Sequence, residues 1–233
     1  RRPNPRGTEV GQLEGKVAIV TGGGSGIGKG IAAAFAGEGC SVVIAARDVD
    51  RLMGTAEEIV ANTGSEVEAV QTDVTDEAAV KRLFQTTMER FNRLDILVNN
   101  SGRFDGGRID ELSLDTFASV MAVNITGPFI CTRQAFKIMK DAGGGRIINV
   151  TNLGAKQPGA NSMPTSVTRA AGIALTKAMS KDLAQYNILV NTVCIGFIKS
   201  GQHEHRFEGM HEQNPSLTLD QFYVDRSQNV PLG

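Results

Sequence analysis

The sequence predicts an α/β fold, a doubly wound parallel sheet in three layers with helices on both faces. Short β-branched runs alternate along the chain with longer segments whose apolar residues fall three and four apart, the periods of strand and helix. A glycine-rich turn joins the first strand to the first helix, and 233 residues, 41% of them apolar, suffice for one domain with a buried core. Candidate strands occupy residues 17–21, 41–46, 66–71, 96–99, 146–151 and 188–193. Several are apolar nearly throughout, as strands covered on both faces must be. The helical segments 27–37, 49–61, 77–91, 114–139 and 164–185 are long enough for right-handed crossovers between parallel neighbours. Residues 1–13, with Pro3, Pro5 and Gly7, have no apolar periodicity and read as a disordered arm, leaving 14–233 as the single domain. After Ser200 the periodicity stops; residues 199–233, polar with apolar islands at Phe207, Met210 and Phe222-Tyr223, read as a substrate loop or lid.

Charge and composition exclude several function classes. With 24 basic against 25 acidic residues and a net charge of −1, the chain lacks the positive excess that phosphate-backbone binding draws on, so no nucleic-acid or membrane partner is expected. No apolar run reaches the ~20 residues that span a bilayer, and the opening Arg-Arg-Pro-Asn-Pro-Arg is no signal peptide. Cys40, Cys131 and Cys194 are odd in number and widely spaced, which indicates neither a disulfide framework nor a thiolate metal site and fits a cytoplasmic protein. His203, His205 and His211 cluster in the tail without an H-E-x-x-H spacing, so no metal site is expected.

The strand 17–21 runs into Thr21-Gly22-Gly23-Gly24-Ser25-Gly26-Ile27-Gly28 and then a helix. Missing side chains let backbone approach a pyrophosphate, while the unpaired N–H groups and dipole of the helix favour its charge. Gly23, Gly28 and Lys29 also satisfy G-x-x-x-x-G-K of the nucleoside triphosphatase loop, but Gly30 stands where the magnesium-binding hydroxyl is needed. The strict G-x-G-x-x-G pattern fails too. What fits is T-G-x-x-x-G-x-G, with glycines at 22, 26 and 28.

That spacing, opening a chain of this size, resembles the short-chain dehydrogenase/reductase family, and the resemblance runs from Lys16 to about Ser200. It implies a Rossmann-type sheet and a nicotinamide cofactor held by Gly22, Gly24, Ser25, Gly26, Ile27 and Gly28 at the turn. Asp73 and Val74, after the third strand, match the pair that holds the adenine ring. Asn100, Ser101 and Gly102, in Asn99-Asn100-Ser101-Gly102, look like the family's N-N-A-G with serine for alanine, and Asn124 matches its helix asparagine. Gly196, Ile198 and Ser200, in a stretch similar to N-x-V-x-P-G-x-I-x-T, match the segment around the nicotinamide amide, with Ile195 for proline and Ser200 for threonine. Members often form homo-oligomers, dimers or tetramers, through the helices at 114–139 and after Thr165, so a homo-oligomer is implied. They usually continue into another helix and a final strand. This chain stops at Pro231-Leu232-Gly233, about where that helix would begin, so the last strand is expected to be missing.

The second strand ends Ala45-Ala46-Arg47 with no acid at its tip. A carboxylate there would bond a ribose 2′-hydroxyl and repel a 2′-phosphate, whereas Ala46 leaves room and Arg47 can pair with the phosphate. NADP(H) is therefore preferred, with NAD(H) possible; the competing reading has Arg47 pairing with Asp48 or Asp50.

The pattern breaks at the catalytic residues. Members that reduce carbonyls use a Ser and a Tyr-x-x-x-Lys; gap-free alignment places Asn152, Thr165 and Arg169 at those positions, and no tyrosine precedes Tyr186. A phenol can be tuned toward neutrality, but an aliphatic hydroxyl is a far weaker acid and a guanidinium does not release its proton. Arg169 can still bond ribose hydroxyls or a substrate carboxylate, Asn152 can polarise a carbonyl, and Thr165 can orient a substrate or water. The candidate catalytic set is thus Asn124, Asn152, Thr165 and Arg169, with Arg169 also binding cofactor and the tail histidines, Lys156 and Lys199 as alternative acids. The expected activity is NADP(H)-dependent oxidoreduction of a small carbonyl or alcohol, or of an activated double bond, with a non-standard proton relay. The alternative is a catalytically silent NADP(H)-binding sensor or structural subunit.

Overall fold

The structure, a computed structural model, describes residues 11–198 and 201–228, with side chains for all of these except 201–206. The chain divides into two compact units, one ending at Cys194 and one starting at Ile195.

In the first unit the two-residue period of a strand sorts side chains into two layers. From β1 (Val17–Thr21), Ala18 and Val20 face one layer and Ile19 the other; from β2 (Ser41–Ala46), Val42 and Ile44 join the first and Val43 and Ala45 the second. The first layer is covered by α1 (Gly26–Gly37) and α2 (Val49–Thr63) through Ala32, Ala36, Leu52, Ala56 and Ile59. After β3 (Val67–Gln71), α3 (Glu77–Phe91) crosses to the other side and the chain enters β4 (Ile96–Asn99). A two-residue strand, β5 (Gly106–Gly107), precedes the long helical stretch of α4 (Leu114–Met121), a π-helical turn at Ala122–Thr126 and α5 (Gly127–Asp141). Then come β6 (Gly145–Asn152), the short β7 (Met163–Pro164), α6 (Thr165–Leu183) and β8 (Ile188–Ile195). Val80, Leu83 and Phe84 of α3, Ile130, Ala135 and Met139 of α5 and Met179 of α6 close the second layer.

The main sheet has the order β3-β2-β1-β4-β6-β8, and β5 pairs antiparallel with β7. Its registered pairs are parallel, with Ala18 beside Val42 and Ile96, and Ile96 beside Arg146. The order reverses between β1 and β4, so their carboxyl ends open a crevice at the switch point. The expected strands and crossover helices agree with these bounds within a few residues at each end.

Helix starts are fixed by side chains that accept orphan N–H groups: Asp48 from Arg51, Asp76 from Ala78 and Ser113 from Thr116. α2 and α3 end on left-handed residues, Gly64 (φ 71°) and Asn92 (φ 52°).

Three expectations need correction or refinement. The arm expected over 1–13 is not disordered at its end: Gln12 N–H donates to Glu38 Oε2 at 2.9 Å, Leu13 N–H donates to the Glu38 carbonyl at 3.0 Å, and the Leu13 side chain packs on the first layer. Backbone donors found partners where side-chain periodicity gave no signal; residues 1–10 lie outside the described residues. Second, although no unbroken apolar run reaches the length expected of a span, the helical stretch Leu114–Asp141 is long and apolar enough to cross a membrane by length and composition. In this fold it packs on the sheet, with Val120, Ile130, Cys131, Ala135 and Met139 buried. Third, the tail is largely helical. In the second unit α7 (Gly201–Gln213) and α8 (Leu219–Ser227) are joined by an aromatic cluster: Phe222 lies 5.8 Å from Phe207 and 5.5 Å from Tyr223, and Arg226 stacks over Phe222 at 4.3 Å.

Asp95 ties the leading ends of the central strands together. It accepts from Val17 N–H at 2.9 Å, from Arg93 Nη2 at 2.7 Å and from Lys16 Nζ at 3.3 Å. Burial alone would raise its carboxyl pKa, but the Arg93 and Val17 hydrogen bonds and the charges of Arg93 and Lys16 outweigh it and hold the group below the usual carboxylate range. A depressed folded-state pKa stabilises the fold above the unfolded value of about 3.9, and that contribution is lost as pH falls through the folded value. Asp95→Asn is expected to cost about 1–2 kcal/mol at pH 7 and progressively less toward pH 3. Urea denaturation of both proteins at the two pH values checks this; an equal difference at both contradicts it.

Candidate nucleotide-binding and active site

The glycine turn is shaped by contacts that forbid side chains. A Cβ on Gly28 would overlap the Gly22 carbonyl oxygen and the Asn100 side-chain amide, and one on Gly23 would come within 2.7 Å of Ile44 Cβ. Gly22 and Gly26 have φ of 67° and 51°, which L-residues rarely adopt. The turn hangs from neighbouring strands: Gly22 N–H donates to Ala45 O at 2.7 Å, and Thr55 Oγ1 donates to Gly24 O at 3.0 Å. Ser25 caps α1 without a side-chain bond, so its hydroxyl leaves the first-turn N–H groups to a ligand. These residues fit a dinucleotide pyrophosphate, which needs backbone donors at a place where Cβ atoms are excluded. Lys29 Nζ bonds Glu58 Oε2 at 2.6 Å and is occupied on the helix surface, against a nucleoside triphosphatase role.

A hydroxyl that sequence reasoning gave no role joins the two sides of the crevice. Thr21 Oγ1, 1% exposed with its residue, accepts from Asn100 N–H and Ser101 N–H, both at 3.0 Å, and donates to Val98 O at 3.2 Å. Asn100 Nδ2 returns bonds to the carbonyls of Thr21 (3.0 Å) and Gly22 (3.3 Å). Thr21 was legible only as the first letter of the glycine motif, because its partners lie about 80 residues further on.

Around the crevice rim, Arg47 is exposed at the end of β2 and has no ion-pair partner among the described residues. Asp48 pairs instead with Arg51 (3.6 Å), which removes one competing partner of Arg47. Asp73 Oδ1 accepts from Thr75 N–H at 2.9 Å and Thr75 Oγ1 at 2.7 Å; these bonds, with a smaller contribution from the Arg47 charge, hold its carboxyl below the usual range against burial. Val74 is buried against Gly127, where a Cβ would have no room.

Deeper in, a narrow cleft with a cavity volume of about 20 Å³ is lined by Ser101, Asn124, Val150, Thr168, Arg169 and Thr192 among others. Asn124 sits in the π-helical turn, where the widened backbone aims a side chain that a regular helix would turn elsewhere. Its amide accepts from Arg103 N–H (2.8 Å) and donates to Arg103 O and Thr168 Oγ1 (both 2.9 Å). Thr165, 3% exposed, opens α6, and its hydroxyl accepts from Asp105 N–H at 2.9 Å and donates to Asp105 O at 2.6 Å. That side chain therefore acts as one more rung beside the β5–β7 pair, and its proton is committed to Asp105, not directed at a substrate or water as expected.

One helical turn on, Arg169 is half-buried. Its Nη1 donates to Val150 O at 3.0 Å, its Nη2 packs against Gly102 so closely that a Cβ there would overlap it, and its buried Nε has no hydrogen-bond partner. Among the described residues it has no carboxylate partner, and desolvation lowers its pKa. Asn152 Oδ1 is likewise buried without a partner. The structure thus brings Ser101, Asn124 and Arg169 to one cleft and leaves Thr165 in a clasp. Gly196 and Ile198 belong to the second unit, and Lys199 and Ser200 lie outside the described residues. The backbone of His203 and His205 is helical, while His211 Nδ1 lies 2.8 Å from Leu217 O. Lys156 is exposed. Burial pushes the Cys40 and Cys131 thiols up to about 12, so neither is a nucleophile near neutral pH.

Gly28→Ala is expected to lower stability by about 1–3 kcal/mol and to abolish nucleotide binding, because the Gly22 carbonyl and Asn100 would have to move. Gly30→Ala, on the same helix with open space around it, is expected to raise stability by roughly 0.5–1 kcal/mol. Thermal denaturation of the pair checks the contrast; similar effects would contradict the close approach at Gly28.

The family model for short chain dehydrogenases matches residues 16–211. An uncharacterized oxidoreductase of Thermotoga maritima is 40% identical over 191 residues, covering 82% of this chain and 74% of its own. The L-sorbose reductase of Gluconobacter frateurii, solved with NADPH and L-sorbose, superposes with a TM-score of 0.84 at 30% identity, over 89% of this chain and 78% of that one. NAD+-bound xylitol dehydrogenase gives a TM-score of 0.81 at 29% identity, over 84% and 75% of the two chains. With its six-stranded sheet, its glycine turn and these matches, the chain belongs to the short-chain dehydrogenase/reductase family.

Proposed function

We propose that this protein is an NADP(H)-dependent oxidoreductase acting on a small carbonyl or alcohol, or on an activated double bond. The observation that carries the cofactor choice is Arg47, exposed beside Ala46 at the end of β2 with no ion-pair partner among the described residues. The NADPH complex of L-sorbose reductase supports it, while the NAD+ complex of xylitol dehydrogenase keeps NAD(H) as the second reading. Bound at the glycine turn, the nicotinamide cofactor supplies the hydride. Asn124 positions the Arg103 segment and Thr168; the unpartnered Asn152 Oδ1 is an acceptor, suited to an alcohol O–H and not to a carbonyl oxygen. The substrate proton comes from solvent or from the substrate itself, since the Thr165 hydroxyl is committed to Asp105. That same commitment favours a silent NADP(H)-binding protein as the alternative function. A homo-oligomer is part of the proposal, supported by Phe129 of α5 and Val167 of α6, which are 45% and 41% exposed.

Calorimetric titration with NADPH and NADH tests the cofactor. Arg47→Ala is expected to weaken NADPH by ~10-fold or more and to leave NADH unchanged; equal loss of both overturns the Arg47 assignment. Turnover of carbonyl substrates in the same samples separates enzyme from silent binder. Light scattering of Phe129→Glu against the parent chain checks assembly, with a shift to monomer expected and an unchanged mass contradicting it.

A further inference from the structure

A dinucleotide laid across the β1/β4 switch point has two halves to seat. With its pyrophosphate at the glycine turn and its adenosine end at Arg47 after β2, the nicotinamide half extends the opposite way, over the carboxyl ends of β4 and β6. That ground is taken. The Arg169 guanidinium lies between those two ends: Nη1 donates to Val150 O of β6 at 3.0 Å, and Nη2 packs on Gly102, just after β4, where a Cβ would overlap it. The cleft that Arg169 lines with Ser101, Asn124 and Thr192 retains about 20 Å³, room for about one water, against the roughly 300 Å³ or more of ordinary ligand pockets.

The guanidinium is also weakly held there. Val150 O accepts its one hydrogen bond among the described residues, Nε is buried with no partner, and no carboxylate among the described residues lies within ion-pair distance. A side chain that swings toward solvent gives up that bond and regains water at Nε, so the closed arrangement is one that a ligand can open. The bond from Thr151 Oγ1 to the Arg169 carbonyl holds the α6 backbone and places no restraint on the side chain.

We propose that Arg169 is a strap across the nicotinamide seat: in the closed form the crevice takes the adenosine diphosphate half of the dinucleotide alone, and the nicotinamide half enters by displacing the guanidinium. This rests on the reading of the crevice as a nicotinamide-dinucleotide site and adds a closed state to it. Affinity for the whole dinucleotide falls by the fraction of molecules with the strap open, whereas affinity for the adenosine half does not.

Calorimetry on the full chain with two ligand pairs tests this: NADPH with 2′-phospho-ADP, and NADH with ADP. Each pair shares the pyrophosphate and differs by the nicotinamide riboside, so the contrast is read whichever cofactor the crevice prefers. In the parent protein the whole dinucleotide is expected to bind within ~3-fold of its half, and in Arg169→Ala at least ~10-fold tighter than in the parent, with the half-ligand unchanged. Arg169→Lys, which retains the charge without a fork to span Val150 O and Gly102, is expected to show the same direction of change and carries the comparison where circular dichroism shows Arg169→Ala unfolded. An unchanged dinucleotide affinity in the variants overturns the strap. So does a loss of dinucleotide affinity with the half-ligand unchanged, since Arg169 would then hold the cofactor. Half-ligand binding without the Arg169 contrast overturns the strap alone; failure of all four ligands to bind overturns the reading of the crevice and the strap with it.

Discussion

The Thr21 hydroxyl is the point at which the two central strands are joined, since two backbone N–H groups from the segment after β4 and one β4 carbonyl all meet it. Those bonds hold the carboxyl ends of β1 and β4 at fixed separation where the sheet order reverses, and Asn100 adds two bonds to the glycine turn from the same side. The crevice depends on this clasp. Were the two strand ends to drift apart, the glycine turn would lose Asn100, which lies against both Gly22 and Gly28.

A second clasp forms at the start of α6. Thr165 turns to the Asp105 backbone and extends the short β5–β7 ladder. Together with the Asn124 bonds to Arg103, it secures the 103–107 segment at two points. One turn further along α6, Arg169 is held in place by Val150 O and packs beside Gly102.

The sheet and its crossover helices were legible because they rest on periodicity: burial on both faces makes β1 and β2 apolar nearly throughout, and α2, α3 and α5 carry their own stripes. The glycine positions were legible because only glycine fits a positive φ or a close approach. Other features depend on contacts distant in sequence. Nothing near residue 124 announces a π-helical turn, and no spacing reveals that Thr165 would bond Asp105, 60 residues back. The helices after Ser200 lack an apolar stripe and are joined by aromatic stacking around Phe222, so periodicity missed them. At Arg169 the residue type was informative, but its orphaned Nε is a property of packing.

The central claim, that a nicotinamide dinucleotide occupies the β1/β4 crevice as shaped by Thr21, is tested most directly by titrating NADPH into the parent chain and Thr21→Val, an exchange of similar volume that removes the hydroxyl. The account predicts saturable one-to-one binding by the parent chain and at least ~10-fold weaker binding by a Thr21→Val protein that remains folded. Equal affinity in the two proteins, or no binding by the parent chain, would contradict it.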